Sequence, residues 1–362
     1  MNLSVKKQFL FSLMMIVAVF AALEGIARLA YRPEGKSVYD EHREIITVLG
    51  LPQLNETMEF DRDLFWRLRP NLSGHRVKGR VNWTTIDFTL STNGLGLRSP
   101  EPSRTKPKYR VLAIGDSCTF GLGVDDGKTW PAQLELLLDE SLGGGAEVIN
   151  AGVPGYTAFQ GRRLLEQYGL VLEPDLIIAT YGFNDPEVWS SRSDVETAKL
   201  LAARRFGSML RASRLVLLME SLLARDAGPK AEFSPGEPDS DRRARLSPED
   251  FRENLTAIHK AGADRGIPVV FLVWPYRNQV EEGRPEPVIY QPVIHQVGRA
   301  ASALVIDLVG PFIESTAAGN ALFLDHVHAS PAGSRLAAKT IADLMDRARS
   351  SARIFGTRPD SP

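Results

Sequence analysis

One cysteine, Cys118, stands among 362 residues. A lone thiol excludes an internal disulfide and a cysteine-cluster metal site. It says little about compartment, because a chain with a large core needs no disulfide outside the cytosol. An excess of charge of one sign is missing as well. The 43 Lys and Arg stand against 44 Asp and Glu, a formal net charge of -1. That balance leaves no basic field to hold nucleic acid by its phosphates, and neither zinc-finger spacing nor a basic helical stripe occurs, so no nucleic-acid partner is expected. Gly121 and Gly123 lack the Lys-Ser/Thr of a phosphate loop and follow Ser117, so they read as a turn. No internal repeat is present. A hydrophobic content of 43% and a charged content of 24% are those of an ordinary globular chain, long enough for one large domain with additions, or two.

At the N-terminus, Lys6 and Lys7 precede "QFLFSLMMIVAVFAALEGIARLA", about 20 apolar residues interrupted late by Glu24, near the length that crosses a bilayer core. The expectation is an uncleaved signal anchor, since "VFAALEG" is a poor small-x-small cleavage site. Secretion after cleavage is the alternative. The preceding lysines would keep the N-terminus cytoplasmic and put the rest of the chain outside a bacterial cytoplasmic membrane, facing the periplasm, with a single pass.

Beyond the span the composition becomes mixed. Val81, Trp83, Thr85 and "IDFTL" alternate like short strands, Asn93-Gly94 signals a turn, and "SPEPSRTKPK" reads as a linker. From Tyr109 the rhythm changes. The runs "YRVLAIG", "AEVINAG", "PDLIIATYG", "IPVVFLVWP" and "VIDL" alternate with helical patterns, among them "TWPAQLELLLDESL", "SPEDFRENLTAIHKAGADRG" with a Ser247 cap, and the closing "SPAGSRLAAKTIADLMDRAR". Apolar strands alternating with amphipathic helices predict a parallel sheet covered on both faces. One stretch, Trp189 to Ser247, breaks the alternation and ends in the polar, proline-rich "RDAGPKAEFSPGEPDSDRRAR", which reads as mobile.

Open parallel sheets bind ligands at the carboxyl ends of their strands. Four strand-end segments there carry chemistry: Gly115-Asp116-Ser117, "NAGVPGYT", "YGFND", and "FLDHVHASPAG" before the last helix. A serine hydroxyl is a poor nucleophile until an imidazole takes its proton, and a carboxylate that fixes the imidazole tautomer improves the transfer. Ser117, His328 and Asp325 supply those groups. The N–H groups of Ser117 and Gly155 and the Asn184 amide are candidate donors to an oxyanion.

These segments, taken in order, resemble the SGNH hydrolase (GDSL esterase/lipase) superfamily. "IGDS" is similar to its first block, "NAGVPGYT" to the block with the oxyanion glycine, "GFND" to that with the asparagine, and "DHVH" to the final Asp-x-x-His, over about Tyr109–Arg349. The resemblance implies a flavodoxin-like three-layer α/β/α fold. It assigns Ser117, Gly155, Asn184, Asp325 and His328 the roles just given, without the G-x-S-x-G elbow. Cys118 stands where the GDSL pattern has leucine, a position outside the four functional residues. Domains are expected at 1–30 (anchor), 31–108 (membrane-proximal β-rich segment and linker), 109–350 (hydrolase, with an insertion at 187–247) and 351–362 (disordered tail).

Blander readings fit the neighbouring residues. Asp116 suits a helix-start cap, Cys118 burial against the sheet, and Asp185 a loop holder. His326 competes with His328 as base, but the Asp-x-x-His spacing favours His328. His42, His75, His259 and His295 read as surface or packing residues on loops or helices. Trp130 and Trp274 sit beside core elements, while Trp189 packs or lines a groove. The expected function is hydrolysis of an O-acyl ester, acetyl on a cell-envelope carbohydrate, through an acyl-enzyme without cofactor or metal. The alternatives are O-acyl transfer to a polysaccharide by the same site and a non-catalytic glycan-binding or assembly module.

Overall fold

A computed structural model of the chain describes residues 5–30, 51–81, 84–189, 192–206, 215, 244–281, 288 and 290–350. The expectations for 31–50, for most of the insertion and for the 351–362 tail lie outside the described residues, as does His42. The chain divides into two compact units, Met1–Ser37 with Glu196–Ser240, and Val38–Val195 with Asp241–Pro362.

The first unit contains α1 (Val5–Ala30), which at 1.5 Å per residue is roughly 39 Å long. Within it Phe11–Leu29 reaches a mean hydropathy of 1.9, and side chains such as Phe11, Met14 and Ile16 are exposed. So much apolar surface marks a contact with lipid or protein. By length and composition, α1 suits a membrane anchor or a signal peptide.

The second unit is built on five parallel strands, β5 (Tyr109–Gly115), β6 (Ala146–Gly152), β7 (Leu176–Thr180), β8 (Val269–Val273) and β9 (Leu304–Asp307), in the order β6-β5-β7-β8-β9. This is the doubly wound order 2-1-3-4-5. Every residue of β5, β7 and β8 is buried, which explains why these strands read as unbroken apolar runs. Alternate strand residues face opposite ways. Val111, Ala113, Ile178 and Leu272 join a core with α3 (Trp130–Leu142), α9 (Val309–Ala317) and α10 (Pro331–Ser350). The opposite face meets α6 (Pro248–Ala263), where a Cβ on Gly262 would come within 2.6 Å of Val269. Among the described residues this unit also contains the α-helices α2 (Ser117–Phe120), α4 (Ala158–Leu164), α7 (Arg277–Glu281) and α8 (Gln291–Ala301), whereas of α5 (Asp194–Phe206) only Asp194 and Val195 belong to it.

Two antiparallel hairpins precede the sheet: β1 (Met58–Asp61) with β2 (Phe65–Leu68), and β3 (His75–Val81) with β4 (Thr84–Leu90). In β4 the buried residues are Ile86, Phe88 and Leu90, while Thr85 is exposed, the period-2 pattern of a half-buried strand. His75 opens β3, so it lies on a strand rather than on a loop or helix. The hairpins pack onto the sheet unit through polar anchors. Arg98, its side chain wholly buried, donates to Phe120 O, Gly121 O, Val124 O, Thr89 O and Asp126 Oδ1 at 2.7–3.0 Å.

Candidate active site

The order of the sheet reverses at β5, flanked by β6 and β7, and the carboxyl ends of these three strands bear the first three candidate segments. Asp116 caps α2 with Oδ1 accepting from Cys118 N at 2.8 Å, as an N-cap carboxylate does. Ser117 is therefore the first helical residue, and its N–H has no intrahelical acceptor. Gly152 permits this crowding, since a Cβ there would lie 2.2 Å from Phe120 N.

After β6 the chain turns over Val153–Tyr156, with Tyr156 N donating to Val153 O at 3.2 Å. Pro154 and Gly155, the latter with φ +79°, occupy the central positions of a type II turn, which needs a positive φ at its third residue. After β7, Asn184 Nδ2 donates to Tyr156 O at 3.0 Å and to Asp116 Oδ2 at 3.3 Å, so it ties all three loops together. Asp185 Oδ1 accepts from Ala158 N and Oδ2 from Gly182 N, both at 2.8 Å. It holds the loop, and burial pushes its carboxyl up to about 7.

The fourth segment comes from the loop between α9 and α10. His328 Nε2 lies 2.8 Å from Ser117 Oγ, and Nδ1 lies 2.6 Å from Asp325 Oδ2. Asp325 divides its oxygens: Oδ1 accepts from Val327 N at 2.9 Å and His328 N at 2.8 Å, which leaves Oδ2 for the ring. Trp274 Nε1 pins the loop through Val327 O at 2.9 Å. Burial works against the charged imidazolium, but the Asp325 carboxylate and its hydrogen bond outweigh it, so the His328 pKa stands above its ordinary value. Asp325 lies well below the usual carboxylate range, because His328 and the two N–H donors outweigh its burial. Burial raises Asp116 to about 6.

Ser117, His328 and Asp325 thus stand in one hydrogen-bonded series, and Asn184 joins the loop that bears Ser117 to the turn that bears Gly155. His326 does not reach Ser117: its ring packs 5.3 Å from Phe183 and 6.4 Å from the His328 ring, between centroids. Cys118 is buried, with Sγ 3.9 Å from Val327 O, and burial drives its thiol pKa well up. A cavity beside Asp116 and Cys118, walled by Phe183, Trp274, Tyr276 and Val327, has room for about one water molecule. Among the described residues no group of three or more His, Cys, Asp or Glu side chains is placed to hold a metal ion.

Arg245, at the end of the stretch that reads as mobile, is instead 3% exposed. It pairs with Asp194 through Nε–Oδ1 at 3.1 Å and Nη2–Oδ2 at 2.9 Å. Its guanidinium lies 4.2 Å from the Trp189 ring centroid, which gives Trp189 a packing role. Trp66, Arg98 and Asp194 carry no motif or spacing in the sequence that marks them. The Ser247 cap, two residues after Arg245, is the available sign in the sequence that a helix starts there.

A doubly wound sheet with a serine, an imidazole and a carboxylate hydrogen-bonded in series at its carboxyl edge defines a class, the α/β/α hydrolases. Within it, the model of the GDSL-like Lipase/Acylhydrolase family matches residues 113–336, more than half of the chain. The protein belongs to that family and is an ester-bond hydrolase of the SGNH/GDSL type. No curated protein matches the chain. Among solved structures, the acetylxylan esterase Axe2 from Geobacillus stearothermophilus is similar at 16% identity and TM-score 0.42, over 67% of this chain and 95% of that one. A lipase/acylhydrolase from Enterococcus faecalis is similar at 20% and 0.41, over 69% and 100%. At these values the likenesses add nothing to what the sheet and the family match establish.

Proposed function

We propose that the protein is a serine esterase that removes small O-acyl groups, acetyl foremost, from a cell-envelope carbohydrate. The observation that carries this reading is the hydrogen-bonded series Ser117 Oγ, His328 Nε2, His328 Nδ1 and Asp325 Oδ2. Ser117 Oγ attacks the acyl carbon as its proton passes to His328 Nε2. The imidazolium, stabilised by Asp325, then protonates the departing sugar oxygen. Water, deprotonated by the same nitrogen, releases the acid and regenerates Ser117. The N–H groups of Ser117 and Gly155 face charge that develops on the carbonyl oxygen. Asn184 joins them by giving up its longer bond, the 3.3 Å contact with Asp116, and keeping the one to Tyr156 O.

The apolar span Phe11–Leu29 of α1 supports work at a membrane surface, and Lys6 and Lys7 before that span support a catalytic unit facing the periplasm. The test is hydrolysis of p-nitrophenyl acetate and octanoate by the intact protein. We expect acetate to be preferred at least about tenfold in kcat/KM, and Ser117→Ala to lower kcat by roughly 10⁴ or more. Turnover retained by Ser117→Ala would sink the assignment.

A further inference from the structure

The turn that presents Gly155 is held by its carbonyl oxygens. Val153 O accepts from Tyr156 N at 3.2 Å, Pro154 O from Trp66 Nε1 at 3.0 Å, Gly155 O from Arg245 Nη1, and Tyr156 O from Asn184 Nδ2 at 3.0 Å. Four consecutive carbonyls are thereby engaged. A trans peptide points its C=O and N–H in opposite directions. The indole that grips Pro154 O therefore dictates where the N–H of the same peptide unit, which belongs to Gly155, is aimed.

Both gripping side chains are themselves immobilised. Trp66 is 1% exposed, receives Tyr156 OH on its backbone oxygen at 2.5 Å and meets the Tyr156 ring edge-on at 5.9 Å. Arg245 is fixed by the paired bonds to Asp194 and by Nη2 donating to Gln160 Oε1 at 2.7 Å. Thr157 Oγ1 donates to Asp194 Oδ2 at 2.7 Å, closing the network on the residue after the turn. Neither side chain comes from the loops after β5, β6 and β7 or from the loop between α9 and α10, and Trp66 lies upstream of the matched region 113–336.

We infer that Trp66 and Arg245 are positioning residues for the oxyanion site: together they aim the Gly155 N–H, and the β1–β2 hairpin is thereby part of the catalytic apparatus. This rests on Ser117 acting as nucleophile. A donor aimed off its target by about 1 Å loses much of its effect on the transition state while leaving ground-state binding intact.

The test replaces Trp66 by 3-benzothienylalanine, which keeps the shape and deletes the N–H. Trp66→Phe and Arg245→Lys serve as companions, and the protein is intact and solubilised. We expect kcat for p-nitrophenyl acetate to fall about 10- to 100-fold while KM stays within about twofold. Affinity for a trifluoromethyl ketone, which forms a tetrahedral adduct on the serine, should weaken by the same factor as kcat. The pH midpoint set by His328 should not move. Unchanged kcat in the benzothienyl protein overturns the inference, and so does a fall in kcat without weaker ketone binding. Should Trp66→Phe fail to fold, the isosteric replacement still decides. Should Ser117→Ala remain active, the reading of the nucleophile fails first and the inference falls with it.

Discussion

On a helix, successive residues point about 100° apart, and this is what separates Ser117 from Cys118 on α2. Ser117 Oγ faces His328 Nε2 at 2.8 Å. Cys118 joins the buried core beneath, with its thiol far from ionisation. The base carries a testable pH signature. His328 accepts a proton only when neutral, and its pKa is raised above the ordinary 6.5 because Asp325 outweighs the burial. Activity is therefore lost as pH falls through a value above 6.5, on the acid side of the profile. Asp325→Asn removes the partner that raises the pKa. The acid-side midpoint of kcat/KM should then drop to 6.5 or below, while kcat falls by roughly 10² to 10⁴ because the tautomer is no longer fixed. A midpoint that stays above 6.5 in the variant would assign the raised pKa to something other than Asp325.

Strands and loops were unequally legible. Strands β5, β7 and β8 announced themselves because burial on both faces demands continuous apolar runs, while the edge strands β6 and β9 were legible from their place in the strand–helix alternation. The site could be read because a chemical residue set follows each of β5, β6 and β7 and a fourth precedes the last helix. What supports those loops was not legible. Trp66 and Phe65 look like any aromatic pair until Trp66 Nε1 is seen at Pro154 O, a contact 88 residues away in sequence. Arg245 lies in a run of arginines whose composition speaks for solvent, and only its distant partner Asp194 reveals a buried pair. Arg98, in the segment between β4 and β5, is the same case. All five of its N–H donors are spent, four of them on carbonyls. Arg98→Met strands those carbonyls and should cost about 3–5 kcal/mol in urea unfolding. Arg98→Lys should recover less than half, because one ammonium cannot span the same acceptors. A loss under about 1 kcal/mol for Arg98→Met would show that water replaces the guanidinium.

Taken whole, the second unit is a hydrolase whose family-matched sheet is completed by segments from elsewhere in the chain. The hairpins between residues 58 and 90 and the residues just before α6 reach the turn after β6 and the loop after α2. In the other unit, α1 has the length and apolar surface for a bilayer. Whether the chemistry of this assembly converges on one hydroxyl is tested most directly by treating the intact protein with a fluorophosphonate and locating the adduct by mass spectrometry. A single adduct on Ser117 is predicted, lost in Ser117→Ala and in His328→Ala and kept in Cys118→Ala. An adduct elsewhere, or none on the active protein, contradicts Ser117 as the nucleophile.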